Sequence, residues 1–153
     1  MPDPIDLFFS YSHKDEVLRD ELAAHLKLLE CQAVIRGWHD RRIDAGGDWK
    51  QTIDEHLESA GIVLLLISAN FLASDYCYDL EMKRALERRE TGSAVVIPVI
   101  LRPCDWTQAP FAKLQALPRD GKAVTSWLNR DEAWTNVAQG IRGAVQAVRP
   151  RAP

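Results

Sequence analysis

A chain of 153 residues, 46% hydrophobic and 27% charged, is long enough to bury one core without staples and has the composition of a single globular domain. Its formal net charge of −3 gives no electrostatic reason to expect nucleic acid or an anionic membrane as a partner. Cys31, Cys77 and Cys104 are odd in number, widely spaced and without a C-x-x-C pair, which argues against a disulfide framework or a cysteine-rich zinc site and for reduced thiols in a cytosol.

Strand and helix signals alternate along the chain. Residues 5–9 (IDLFF) predict a short apolar strand. Ser12, with Asp15 three residues on, has the spacing of an N-cap and its capping-box partner. Leu18, Leu22, Leu26 and Leu29 then recur at helical intervals. Residues 33–38 (AVIRGW) read as a second strand. After HDRRIDAGG, Asp48 can cap a helix whose face is Trp49, Ile53, Leu57 and Ala60, with Gly61 at its end. Residues 62–67 (IVLLLI) lack polar alternation, as expected of a strand buried on both faces of a parallel sheet. Ser74 starts a third helix and Gly92 follows its end. Residues 94–101 (AVVIPVIL) form a fourth strand, in which Pro98 lacks a ladder donor and predicts an interruption or a place near an edge.

Residues 102–122 carry Pro103, Pro110 and Pro118; a connection of that length is either functional or contains a short helix, for which FAKLQAL is the candidate. Residues 123–127 (AVTSW) read as a short fifth strand. Asn129 and Glu132 offer another capping box, opening a last helix with Trp134, Val137, Ile141, Val145 and Val148 on one face. Residues 1–149 are expected to form one domain, with 150–153 a linker or a cut edge. No signal-peptide pattern opens the chain and its apolar runs fall far short of a membrane span, so a cytoplasmic location is expected.

The alternation predicts a five-unit α/β domain around a largely parallel sheet. Open sheets of this kind bind ligands outside the carboxyl ends of the strands, where the strand order reverses. In a 2-1-3-4-5 order that crevice lies between strands one and three. The residues leaving those strands are Ser10, Tyr11 and Ser12, then Ser68, Ala69 and Asn70. In the stretch SDYCYDLEM, Glu81 lies roughly 10 Å into the helix after strand three at about 1.5 Å per residue, with Cys77 one turn earlier on the same face. A helix glutamate ordinarily faces water, so only its place beside the crevice makes Glu81 a candidate.

Other motifs are weaker. Gly46-Gly47 and DGKAVTS lack the spacing of a dinucleotide fingerprint or a P-loop. His13, His25, His39 and His56 lack metal-ligand spacing, and Ser10 or Ser12 near His13 does not make a triad. Ser12 reads as a helix cap, and Tyr11 either packs at the sheet edge or stacks on a ligand. Lys83, Arg84, Arg88 and Arg89 read as a solvated helix face. A receiver domain is disfavoured, since the first strand does not end in an acidic pocket with a phospho-acceptor aspartate.

The segments DLFFSYSHKDE, WHDRRIDAGGDW and FLASDYCYDLEMKRAL resemble, in order, the successive motifs of a bacterial TIR (Toll/interleukin-1 receptor) domain, from Asp6 to about Val148. The resemblance implies a flavodoxin-like, three-layer fold with a five-stranded sheet in the order 2-1-3-4-5. Members of the family divide into adaptors that only assemble and enzymes that cleave NAD⁺ at the nicotinamide–ribose bond. The enzymes use a glutamate in the helix after the third strand, which by position is Glu81. Plant members show W-C-x-x-E, whereas here Tyr76-Cys77 is followed by Asp79 and only then Glu81; the form YCYDLEM resembles bacterial members and favours Glu81 over Asp79. An animal hydrolase of the family has arginines after its first-motif tyrosine, where this chain has Ser12 and His13.

The function so implied is NAD⁺ nucleosidase, with nicotinamide plus ADP-ribose or a cyclic isomer as products, acting as a bacterial antiphage defence or signalling effector. The alternative is a non-catalytic module that assembles through its loops. Glu81 is the expected catalytic residue, with Ser10, Tyr11, Ser12, Asp40, Arg41, Ser68 and Cys77 around the substrate. NAD⁺ is substrate rather than cofactor, and no metal is expected. Expected partners are other copies of the domain in head-to-tail contact through residues 38–48, where Asp40, Arg41, Arg42 and Asp44 surround Ile43, and a fused or separate sensor domain. Nucleic acid and membrane are not expected.

Overall fold

The structure, a computed structural model, describes residues 4–38 and 55–148. Strand β1 (Ile5–Ser10) leads through a 3-10 turn (His13–Asp15) into α1 (Glu16–His25) and α2 (Lys27–Cys31), then β2 (Ile35–Trp38). Residues 55–59 are helical (α3) and precede β3 (Ile62–Ile67). Next come α4 (Ala69–Ala73), a π-helical segment (Asp75–Met82), α5 (Lys83–Glu90) and β4 (Val95–Ile100). Two 3-10 turns (Arg119–Gly121 and Val124–Ser126) lead to α6 (Arg130–Val148). The strands form one sheet in the order β2-β1-β3-β4, and every pair is parallel. The α/β class and the order 2-1-3-4 are those expected.

Strand alternation sorts the core into two layers. Leu7 and Phe9 of β1, with Leu64 and Leu66 of β3, pack against Leu18, Leu22 and Leu26 of the first helices and Trp134, Val137 and Ile141 of α6. Phe8, Val63, Leu65 and Ile67 pack on the other face against Leu57, Phe71, Met82 and Ala85. Every residue of β3 is buried, which is why its sequence carries no polar alternation. Asn129 caps α6 as expected, its Oδ1 accepting the Glu132 backbone N–H at 3.2 Å. Gly92, at φ 77°, takes the left-handed conformation that ends α5.

Several expectations are corrected. No fifth strand forms among the described residues; Leu117 makes a single parallel bridge to Val99, and residues 123–127 turn instead as a 3-10 segment. Pro118, directly after the bridge, has no N–H with which to extend it. Ala123 and Val124 are buried by the turn, so the apolar pattern is satisfied without a strand. Pro98 lies in the edge strand β4, where its carbonyl accepts from Leu117 N–H at 2.9 Å. FAKLQAL forms successive turns rather than a helix, with Phe111 fully buried.

Val148 is 43% exposed, beyond the buried face of α6. Arg88, expected on a solvated face, is only 7% exposed. It donates from Nη1 to the carbonyls of Leu57 (2.7 Å) and Ala60 (2.6 Å) and from Nη2 to that of Ser93 (2.8 Å). It thereby closes the carbonyl end of α3, a task a Schellman glycine performs elsewhere.

Candidate active site at the carboxyl ends of the strands

Ser10 is the last residue of β1, and alternation from Phe8 turns its side chain toward the α4–α5 layer. There its hydroxyl donates to Glu81 Oε1 at 2.8 Å. Ser10 is fully buried and Glu81 only 6% exposed, although neighbouring Leu80 is 54% exposed. Ordinary burial preferences are inverted at this pair. The π-helical segment explains how. Its i→i+5 hydrogen bonds enclose one residue more than the i→i+4 bonds of an α-helix, and such segments concentrate at functional sites. Downstream, Met82, Ala85 and Arg88 are held in the core and fix the register, so Glu81 faces the strand end while Leu80 points outward. Asp79 is exposed, 3.9 Å from Lys83 Nζ. Of the two acidic residues, the structure brings Glu81 and not Asp79 to the crevice.

A second buried carboxylate tops the crevice between β1 and β3. Asp15 is fully buried. It accepts from Ser68 Oγ, from Asn70 Nδ2 at 3.2 Å and from Arg102 Nε at 3.1 Å. The expected capping box is therefore not made: Ser12 Oγ accepts from Lys14 N–H at 3.3 Å, while the Asp15 side chain leaves its own turn. Ser68 also caps α4, accepting the Phe71 N–H at 3.1 Å. A single carboxylate thus ties the ends of β1, β3 and β4 together. Cys104 lies near it; burial, and then the charges of Asp105 and Asp15, push its thiol up, which leaves it a poor nucleophile at neutral pH.

The remaining expected site residues divide clearly. Ser10 stands against Glu81, and Ser68 serves Asp15 rather than opening to the crevice. Tyr11 is 4% exposed; its ring packs in the α1–α6 layer, stacked on His13 at 5.9 Å with the Arg19 guanidinium 5.5 Å from its centroid. Among the described residues, packing places Tyr11. Ser12 is a partly exposed cap. Cys77 belongs to the π-helical segment, but its side chain lies outside the described part. Asp40, Arg41, His39 and the rest of residues 39–54, including Asp48, Trp49 and Ile53, lie outside the described residues. Asp15 and Arg102 are the residues at the crevice that sequence reasoning missed. Local spacing assigned Asp15 to a cap, and Arg102 carried no signal beyond its place in a long proline-rich connection.

Apart from this crevice, a groove of about 550 Å³ runs along the outer edge of β4, lined among others by Val95, Val96, Ile97, Leu117 and Gly140. Gly140 lets α6 approach closely, since a Cβ there would lie 2.6 Å from Leu117 Cδ2.

A parallel sheet with helices on both faces, carrying a buried carboxylate from the helical segment after β3 at its carboxyl edge, defines a flavodoxin-like α/β domain with a switch-point site. The chain belongs to the TIR domain family, whose sequence pattern matches residues 7–144. It is 57% identical over 142 residues to the protein y4lF of Sinorhizobium fredii, an alignment covering 93% of this chain and 44% of that protein. The chain thus spans less than half the length of this relative. The fold resembles the TIR domain of the Toll-related receptor TRR-2 from Hydra magnipapillata, with a TM-score of 0.65 at 20% identity over 90% of this chain and 98% of that one. It also resembles the TIR domains of the activated Roq1 resistosome, which recognises the effector XopQ, with a TM-score of 0.54 at 18% identity over 88% and 84% of the two chains.

Proposed function

We propose that this domain is an NAD⁺ nucleosidase acting in the cytoplasm as a bacterial defence or signalling effector. The observation that carries this reading is Glu81, a carboxylate buried at the carboxyl edge of the sheet and oriented by the Ser10 hydroxyl at 2.8 Å. Hydrolysis of an ordinary glycoside needs a second carboxyl group to protonate the leaving oxygen. The nicotinamide of NAD⁺ is already cationic at its ring nitrogen. When the C1′–N1 bond breaks, the electron pair passes to the ring and nicotinamide leaves neutral, so no general acid is required. What remains is the positive charge developing on the ribosyl C1′–O4′ unit. A fixed carboxylate in a water-poor crevice stabilises that charge electrostatically, or grips the ribose hydroxyls. Ser10 contributes by holding the carboxylate in one orientation, so that little reorganisation is needed as charge develops. Water attacking C1′ gives ADP-ribose, and an internal nucleophile arriving first gives a cyclic isomer.

Incubating the purified domain with NAD⁺ and following nicotinamide release tests the reading directly. Sustained release supports it; none, from protein shown to be folded and assembled, favours a non-catalytic assembling module. The groove beside β4 suits an assembling role in either case.

Cleavage is expected to need no added metal or organic cofactor, because the leaving group carries its own charge. Chelator treatment should leave the rate unchanged. Activity that vanishes with chelator and returns with a divalent ion contradicts this mechanism.

The active form is proposed to be a head-to-tail assembly with residues 38–48 at its contacts. In sequence that stretch sets Ile43 among Asp40, Arg41, Arg42 and Asp44, an aliphatic residue between charges, a composition that suits docking on a neighbouring copy. Contacts of this kind are heterologous and propagate along an axis. Specific activity should therefore rise with protein concentration, and Arg41→Glu combined with Ile43→Asp should flatten that rise while the monomer stays folded. Full activity in a strictly monomeric sample, unchanged on dilution, rules the assembly out.

A further inference from the structure

Arg102 follows the end of β4, half-exposed at the carboxyl edge, with its Nε on the fully buried Asp15 carboxylate at 3.1 Å. No hydrogen bond from its Nη1 or Nη2 is present among the described residues. The guanidinium is thus fixed along one edge and presents its remaining N–H groups outward. This arrangement answers an electrostatic problem at the crevice. The top of the β1–β3 boundary holds a buried carboxylate, with Ser68 and Asn70 already spent on it. An anionic ligand drawn over that boundary needs a cation between itself and Asp15.

We propose that Arg102 is the contact for the pyrophosphate of the dinucleotide, pre-oriented for that task by Asp15. The inference rests on the nucleosidase reading, and it identifies which part of the substrate the crevice grips away from the reacting bond. Planar guanidinium forks pair with phosphate oxygens, and a fork already held by a carboxylate loses little rotamer freedom on binding. The spacing suits a dinucleotide. Ser10 lies opposite Leu65, and Ser68 is three residues further along β3, roughly 10 Å at about 3.3 Å per residue. Arg102 enters from β4, two strands across from β1, a further ~10 Å sideways at about 4.8 Å per strand. A ribose whose C1′ sits at Glu81 sends its phosphates into that interval, within reach of a long arginine side chain.

The test compares substrates with and without the pyrophosphate, alongside equilibrium binding of the product. Arg102→Gln should raise KM for NAD⁺ about 10- to 100-fold with kcat within about twofold, and should weaken ADP-ribose binding by a similar factor. Cleavage of nicotinamide riboside, which has no phosphate, should be unchanged, and Arg102→Lys should recover part of the lost affinity. Asp15→Asn with Arg102→Gln removes both charges, so no unpaired buried carboxylate remains; this double variant should show the same loss of ADP-ribose binding. Unchanged KM and ADP-ribose affinity overturn the proposal. So does a fall in kcat alone, or an equal loss on nicotinamide riboside, since either marks Arg102 as structural. A wild-type domain that binds ADP-ribose but cleaves nothing defeats the nucleosidase reading and leaves the Arg102 binding test standing; a domain that binds no ADP-ribose defeats both.

Discussion

Replacing Glu81 by glutamine is expected to lower NAD⁺ cleavage by on the order of 10²–10⁴-fold, with unfolding free energy little changed. The amide keeps the size of the side chain, and its oxygen can still accept the Ser10 hydroxyl that now reaches Oε1 at 2.8 Å. What disappears is the negative charge facing the developing ribosyl cation. Because that charge acts on the transition state more than on bound NAD⁺, the loss should fall in kcat rather than in KM. Asp79→Asn is the matched control: Asp79 is exposed and near Lys83, so most activity should survive. Initial rates of nicotinamide release from the two variants decide the matter. A reversed result would assign the chemistry to Asp79 and would mean that the helical register differs in the working enzyme.

The largest expected effect on stability is at Arg88. Arg88→Met keeps much of the side-chain volume but removes three donated hydrogen bonds, leaving the carbonyls of Leu57, Ala60 and Ser93 without that partner. Burial pushes the Arg88 guanidinium below its ordinary pKa, as expected of a cation held largely by neutral carbonyls rather than by a carboxylate. Each buried acceptor left unmade costs about 1–3 kcal/mol, so a loss of roughly 3 kcal/mol or more is expected. Urea unfolding measures it as a lower midpoint with an unchanged slope. Arg88→Lys should fall between, since one ammonium cannot reach all three carbonyls in the same geometry. A loss below about 1 kcal/mol would mean that water replaces the guanidinium at the end of α3.

Much of this protein was legible without coordinates, wherever one local pattern had only one physical solution. The run IVLLLI admits no polar face, so it had to be a strand covered on both sides, and β3 is buried throughout. Leu18, Leu22, Leu26 and Leu29 repeat at helical spacing and all are buried. Alternating units of this kind build a parallel sheet, and such a sheet directs attention to the ends of strands one and three, where Ser10 and Glu81 meet.

Other choices were degenerate at the level of the chain and were decided by packing. Residues 123–127 present two buried side chains equally well from a strand or a 3-10 turn, and Pro118 tips the outcome by ending the pairing at Leu117. Asp15 has the spacing of a cap, but three donors arriving from distant segments outweigh the local bond. Arg88 reads as a surface cation because its carbonyl partners lie on α3 and in the turn before β4. The orientation of Glu81 depends on the helix type between α4 and α5. Only the anchoring of Met82 and Ala85 in the core, acting through a π-helical turn, puts that carboxylate inward and Leu80 outward. Sequence carries the periodicity of an element, whereas the rotation of that element about its own axis is set by the neighbours it packs against.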